Sequence, residues 1–187
     1  MENTVVYLIG PPGVGKYTVG RVLAARMPAR LIDNHYWNNP VFDLVEPDGL
    51  APLPDAIWER AATVRSAVLE TIATLAPRER SFVFTHAVST DGGHPLDLVI
   101  AGQILRTAER RGARTLVARL SCSAERLAQR IAEPGRAARL KERDAGRAAA
   151  YAAQRPFETG HPWTIDIDTS ESPPSDTADR IMQALTS

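Results

Sequence analysis

The sequence has almost no cysteine and almost no lysine. Cys122 stands alone, so no internal disulfide can form, which suits a reducing cytosol. Neither charge sign is in surplus: 22 basic residues face 22 acidic ones, with a pI of about 6.9. That balance excludes the basic footprint expected for duplex DNA or RNA binding. No apolar run approaches the ~20 residues of a membrane span, so no membrane partner is expected. The N-terminus opens with Glu2, has only a strand-length apolar run and lacks a basic region, so it is not read as a signal peptide. A cytoplasmic location is the expectation. Of the 22 basic residues only Lys16 and Lys141 are lysine, which makes each of them conspicuous.

What is present is ordinary for a globular protein. At 187 residues, 44% hydrophobic and 24% charged, the chain is long enough for one domain with a real core. No internal repeat or domain linker interrupts it.

The most informative stretch is Gly10-Pro11-Pro12-Gly13-Val14-Gly15-Lys16, directly after the apolar run Val5–Ile9. A buried strand that feeds a glycine-rich turn and a lysine is the start of a phosphate-binding P-loop. Glycines let the backbone curl and bring its N–H groups close to an anion. Together with the N-terminus of the following helix, those groups make a concave anion site. Lys16 reaches the β- and γ-phosphates as a mobile point charge. One position departs from the pattern. Where Ser or Thr would offer a hydroxyl to Mg²⁺, the chain has Tyr17, with Thr18 one place later. A phenol oxygen lies several ångströms too far out for that role. Magnesium keeps most of its waters and needs few protein ligands. Phosphates, water and a carboxylate from elsewhere are then the expected ligands, while Thr18 can still donate to an α-phosphate.

Alternating patterns give strands at 4–9, about 30–32, 81–85, 115–120 and 163–167. Helices are expected at 16–27, 56–75, 96–111, 124–131 and 176–185, with an Arg/Ala-rich helix running to about Gln154. Residues 40–54 read as a loop on their Pro and Gly content, with Trp37, Phe42 and Leu44 as packing anchors. Strands alternating with helices imply a doubly wound parallel α/β sheet. In such sheets ligands bind beyond the carboxyl ends of the strands, where Gly10, Asp33 and His86 all fall.

Five segments together resemble the small P-loop kinases of the nucleoside monophosphate kinase-like group. They are the P-loop with Tyr17-Thr18, then Asp33-Asn34-His35, Ser81–His86, Leu120–Arg130 and an Arg-rich stretch after it. That group includes shikimate kinase, gluconate kinase and chloramphenicol phosphotransferase; the likeness is strongest to a branch of P-loop kinase-like ATP-binding proteins, whose members often carry a bulky residue after the lysine. The resemblance implies a P-loop NTPase fold with a five-stranded parallel sheet of order 2-3-1-4-5 and a helical lid at about 133–155. It also implies ATP and Mg²⁺ as cofactors and phosphoryl transfer to a small-molecule acceptor.

By the same resemblance Asp33 orients the acceptor hydroxyl, takes its proton or touches the metal through water. The other reading is an Asx turn, a common use of Asp beside Asn. The strand ending at His86 lacks the carboxylate that usually binds Mg²⁺ through water, so Asp33 is the remaining metal candidate. His35 stands where those kinases have a second acidic, substrate-touching residue; a structural histidine is the alternative. His86 is expected on the rim, as a donor to the γ-phosphate or acceptor. Arg130, Arg136, Arg139 and Lys141 fall at the lid, where guanidiniums neutralise developing charge; a solvated charged face is the bland alternative. Arg130 and Arg136 are the catalytic candidates and Arg139 a substrate contact. Asp168 and Thr169 match the segment bordering adenine, or form a plain turn.

The reading is an ATP-dependent kinase acting on a hydroxyl of a small molecule. A nucleoside or nucleotide kinase is the first rival, with Tyr36, Trp37 and Trp58 as stacking surfaces. A nucleotide-binding protein without transferase activity is the second, and Tyr17 is its support. RNA-end phosphorylation is disfavoured by the neutral charge. The acceptor is not encoded legibly, and a homodimer remains open.

Overall fold

A computed structural model describes residues 1–45, 53–88, 91, 93, 95–133 and 144–186. β1 (Thr4–Gly10) is buried along nearly its whole length, because it lies mid-sheet with both faces covered. Val6 and Leu8 face one core and Val5, Tyr7 and Ile9 the other. β2 (Ala29–Ile32), β3 (Ser81–Ala87), β4 (Arg114–Ser121) and β5 (Thr164–Asp168) join it in the order β2-β3-β1-β4-β5. All pairings are parallel, with Ile9 opposite His86 and Gly10 opposite Ala87. The order is the one the resemblance implied.

Helices cover both faces. α1 (Lys16–Arg26) and α7 (Pro174–Thr186) pack on the Val6–Leu8 side. α3 (Asp55–Thr74) and α4 (Pro95–Arg110) pack on the Tyr7 side. α5 (Ala124–Ile131) is capped by Ser123, whose side chain accepts from the Arg126 N–H. Beyond the undescribed residues 134–143, the Arg/Ala-rich stretch forms a short 3₁₀ turn (Ala145–Arg147) and α6 (Ala148–Ala152).

The loop expected at residues 40–54 needs correction. Residues 40–45 are not loop but the second half of α2 (His35–Val45), which runs through Pro40. Proline there removes one intrahelical N–H. Burial on either side outweighs that loss: Trp37 stacks on Phe84 at 6.4 Å between ring centroids, and Phe42 meets Trp58 edge-on at 5.6 Å. The remainder of the expected loop, residues 46–52, lies outside the described residues.

Arg111 fixes the end of the sheet away from the strand C-termini. Its buried guanidinium donates to the carbonyls of Ile72, Ala76, Pro77, Arg78 and Arg80 and lies 5.0 Å from the Phe82 ring centre. A helix leaves its last carbonyls unpaired, and here one cation serves that of Ile72 in α3 and four more in the turn into β3. The opposite edge is left to the loops that form the site.

Candidate functional site

β1 delivers the chain into residues 11–15, and α1 leaves from Lys16. Two positions in this turn admit only glycine. Gly10 has φ 151°, and a Cβ there would stand 2.3 Å from the Leu120 carbonyl oxygen; Gly13 has φ 87°, and its Cβ would sit 2.8 Å from Ile131 Cγ1. Lys16 is mostly buried and folds back over the loop, its Nζ donating to Gly10 O at 2.7 Å and Pro11 O at 2.8 Å. The first turn of α1 carries the positive end of the helix dipole.

That end opens into a cavity of about 600 Å³. Pro12 through Thr18 supply one wall. Asp33 and His35, from the turn between β2 and α2, and Thr85 and Ala87, from β3, supply another. Arg130 and Thr169 close a third side. The structure therefore brings Lys16, Tyr17, Asp33, His35, Arg130 and Thr169 to one space at the C-terminal edge of the sheet. Gly10 and Pro11 sit behind the cavity and hold the lysine.

Asp33 realises the Asx turn within the cavity wall: its Oδ1 accepts the His35 N–H at 2.7 Å, and its carbonyl accepts the Tyr36 N–H at 2.8 Å. A carboxylate has several lone pairs, and this contact uses one of them to start α2. His35 Nδ1 pairs with Asn39 Oδ1 at 3.1 Å, one helical turn on, and its ring meets Phe42 edge-on. Arg130 is tied down: Nη2 donates to Thr169 O at 2.8 Å and Nη1 to Thr169 Oγ1 at 3.2 Å. Asp168 is exposed, away from the cavity, and accepts from the Ser170 N–H and hydroxyl, which hold its carboxyl below the usual carboxylate range. Arg136, Arg139 and Lys141 lie outside the described residues.

His86 is in the core rather than on the rim, with 1% of its surface exposed. Its Nε2 lies 2.9 Å from Asp97 Oδ1 and its Nδ1 2.6 Å from the Tyr7 hydroxyl, with Phe157 edge-on to the ring. A carboxylate only accepts, so Nε2 carries the proton and Tyr7 donates to Nδ1. Strand alternation explains the error: Thr85 turns toward the cavity, and His86, the next residue, turns toward α4. Burial pushes the His86 imidazole below its ordinary value, with Asp97 opposing the shift, and pushes the Tyr7 phenol well up. Unfolded, the imidazole takes a proton near pH 6.5; folded, it does so only at lower pH. Below about 6.5 the unfolded chain therefore binds more protons, and stability falls with pH at up to about 1.4 kcal/mol per unit. Urea melts between pH 7 and 5 are expected to show this slope and to show it reduced in His86→Gln. Parallel slopes in the two proteins would mean that His86 does not drive it.

The aromatic residues also divide. Of the three stacking candidates, Trp37 is core, whereas Tyr36 and Trp58 are partly exposed.

No family model matches this sequence, and no curated protein matches it. Solved structures do. A gluconokinase from Sinorhizobium meliloti aligns over 98% of this chain and 92% of its own, at 16% identity and TM-score 0.65. A sugar kinase from Janibacter aligns over 98% and 95%, also at 16% identity and TM-score 0.65. The APS kinase of Mycobacterium tuberculosis, solved in complex with AMPPNP and APS, aligns over 100% and 99% at 13% identity and TM-score 0.58. The chain has the fold of the small P-loop kinases. On that fold the loop could hold an anionic phosphate chain, since Gly13, Gly15 and Lys16 line the cavity at the positive end of the α1 dipole. A metal fits less directly. Among the described residues no three His, Cys, Asp or Glu side chains come together, and Tyr17 occupies the hydroxyl position. Mg²⁺ would arrive with the phosphates, with Asp33 as the candidate carboxylate in a cavity that Glu133 also lines. Among the described residues no helix is long and apolar enough to cross a membrane.

Proposed function

We propose that this chain binds ATP at the P-loop and transfers its γ-phosphoryl group to a hydroxyl of a small-molecule acceptor. The carrying observation is that Lys16 and the start of α1 share one cavity with Asp33 and His35. One wall is built for phosphate, and the other offers a carboxylate and an imidazole to a hydroxyl. Lys16 leaves the Gly10 and Pro11 carbonyls to neutralise the β- and γ-phosphates. Asp33 orients the acceptor hydroxyl and takes its proton, and His35 holds the acceptor. Arg130 and Thr169 border the nucleotide, and Arg136 and Arg139 are assigned to the lid. Mg²⁺, when bound, supplies further neutralisation of the phosphate oxygens. The gluconokinase, sugar kinase and APS kinase likenesses support a hydroxyl acceptor in this fold.

The test is ADP release from ATP and Mg²⁺ against a panel of sugars, sugar acids, nucleosides and hydroxylated antibiotics. Acceptor-dependent release supports the reading; ATP binding with no release over the panel favours the second reading, a nucleotide-binding protein without transferase activity. Tyr17 is the observation behind that alternative. Tyr17→Ser places a hydroxyl within reach of the metal, so Mg·ATP is expected to bind about tenfold more tightly, the worth of one charge-assisted contact, with metal-free ATP unchanged. Calorimetric titrations with and without Mg²⁺ read this directly. Identical metal dependence in both proteins would place the ion elsewhere.

A further inference from the structure

The glycines that let a phosphate approach the P-loop also leave its peptides free to turn over. Glycine accepts both signs of φ, so the Val14–Gly15 peptide, with Gly15 at φ 101°, has little intrinsic reason to hold one orientation. Something outside the loop must hold it.

Thr169, just beyond β5, does so. It is 3% exposed, and its hydroxyl lies 2.9 Å from Val14 O and 3.0 Å from Ser121 O, a single proton shared between two carbonyls. Its own N–H donates to Ser121 O at 2.9 Å, fixing it to the end of β4. Arg130 braces the same point: Nη1 reaches Thr169 Oγ1 at 3.2 Å and Val14 O at 3.4 Å, and Nη2 reaches Thr169 O at 2.8 Å. The Val14 side chain is fully buried in the core beneath. Side chain and carbonyl are thus anchored on one side, and no peptide in the described chain is cis. In a planar trans peptide the N–H points opposite the C=O. With the Val14 carbonyl held toward Thr169, the Gly15 N–H is turned away from Thr169, and Gly15 itself lines the cavity.

We propose that Thr169 is a positioning residue of the phosphate cradle, which orients the Val14–Gly15 peptide for phosphate and does not read the nucleobase. This rests on the nucleotide-binding reading above. The hydroxyl proton is directed at two backbone carbonyls and a lone pair at Arg130, so a purine edge would have to compete with three existing contacts. The Thr169 latch connects residues 155 positions apart.

The experiment measures ADP and inorganic pyrophosphate, each by competition against a fluorescent ADP, on wild type, Thr169→Val, Thr169→Ala and Thr169→Ser. Pyrophosphate has no base, so it separates the two roles. Loss of one such hydrogen bond is expected to weaken ADP and pyrophosphate alike, about tenfold, in the Val and Ala variants. Thr169→Ser, which keeps the hydroxyl, restores both. The alanine variant makes the same deletion with less bulk beside Arg130, should the valine variant not fold. ADP weakened with pyrophosphate unchanged would make Thr169 a base contact and overturn the proposal, as would unchanged affinity for both. A wild type that binds neither probe would overturn the nucleotide reading itself, and the latch with it.

Discussion

Lys16→Ala is expected to weaken ATP binding by roughly 10²–10⁴-fold, the worth of two charge-assisted contacts to phosphate, while the protein remains folded. The geometry explains why the loss falls on binding rather than folding. The ammonium donates to Gly10 O and Pro11 O, two carbonyls just behind an open cavity whose water can serve them when the amine is gone. The side chain also sits at the start of α1, where alanine is a good helix former. Calorimetry with ATP, paired with a urea melt, separates the two effects. Wild-type-like ATP affinity in a folded Lys16→Ala protein would overturn the phosphate assignment of the whole loop. The substitution is sharper here than in most proteins because Lys141 is the only other lysine in the chain.

The parts of this molecule that could be read from sequence are those whose causes are local. β1, the glycine turn and α1 follow one another within 26 residues, and each carries its own pattern of apolar run, glycines and helical spacing. The gathering of Lys16, Asp33 and His35 was legible too, since a parallel sheet sends the C-terminal ends of its strands to one edge whatever the loops do. What escaped was set by partners far along the chain. Nothing near His86 announces that Tyr7, 79 positions earlier, and Asp97 enclose its ring. Nothing in the sequence beside Arg111 marks the five carbonyls, from the end of α3 and the following turn, that surround it. Pro40 counted toward a loop; Trp37 and Phe42 were legible as packing anchors, but not that their burial carries a helix through the proline. Thr169 belongs with these: its likeness to a base-bordering segment was visible, its contact with Val14 was not.

Asp33→Asn divides the Asx turn that the structure shows from the acceptor role proposed for Asp33. The Asx turn needs only an oxygen at Oδ1 to accept the His35 N–H, at 2.7 Å in the native protein, and asparagine supplies one. The start of α2 and the place of His35 in the cavity wall are therefore retained. What the substitution removes is the negative charge and the capacity to take a proton. Nucleotide affinity, governed by the P-loop wall, is expected to change by less than about threefold, and turnover with the acceptor found by the panel to fall by ~10²–10⁴, the usual share of a general base. Asp33→Ala serves as the control: it loses the turn as well as the charge, so it should also lower the urea midpoint, whereas the asparagine variant should not. Full turnover in Asp33→Asn with lowered stability in Asp33→Ala would make Asp33 a turn residue alone. The proton would then have to leave by another cavity-facing group, and His35, held through Nδ1 by Asn39, is the neighbour in position to take it.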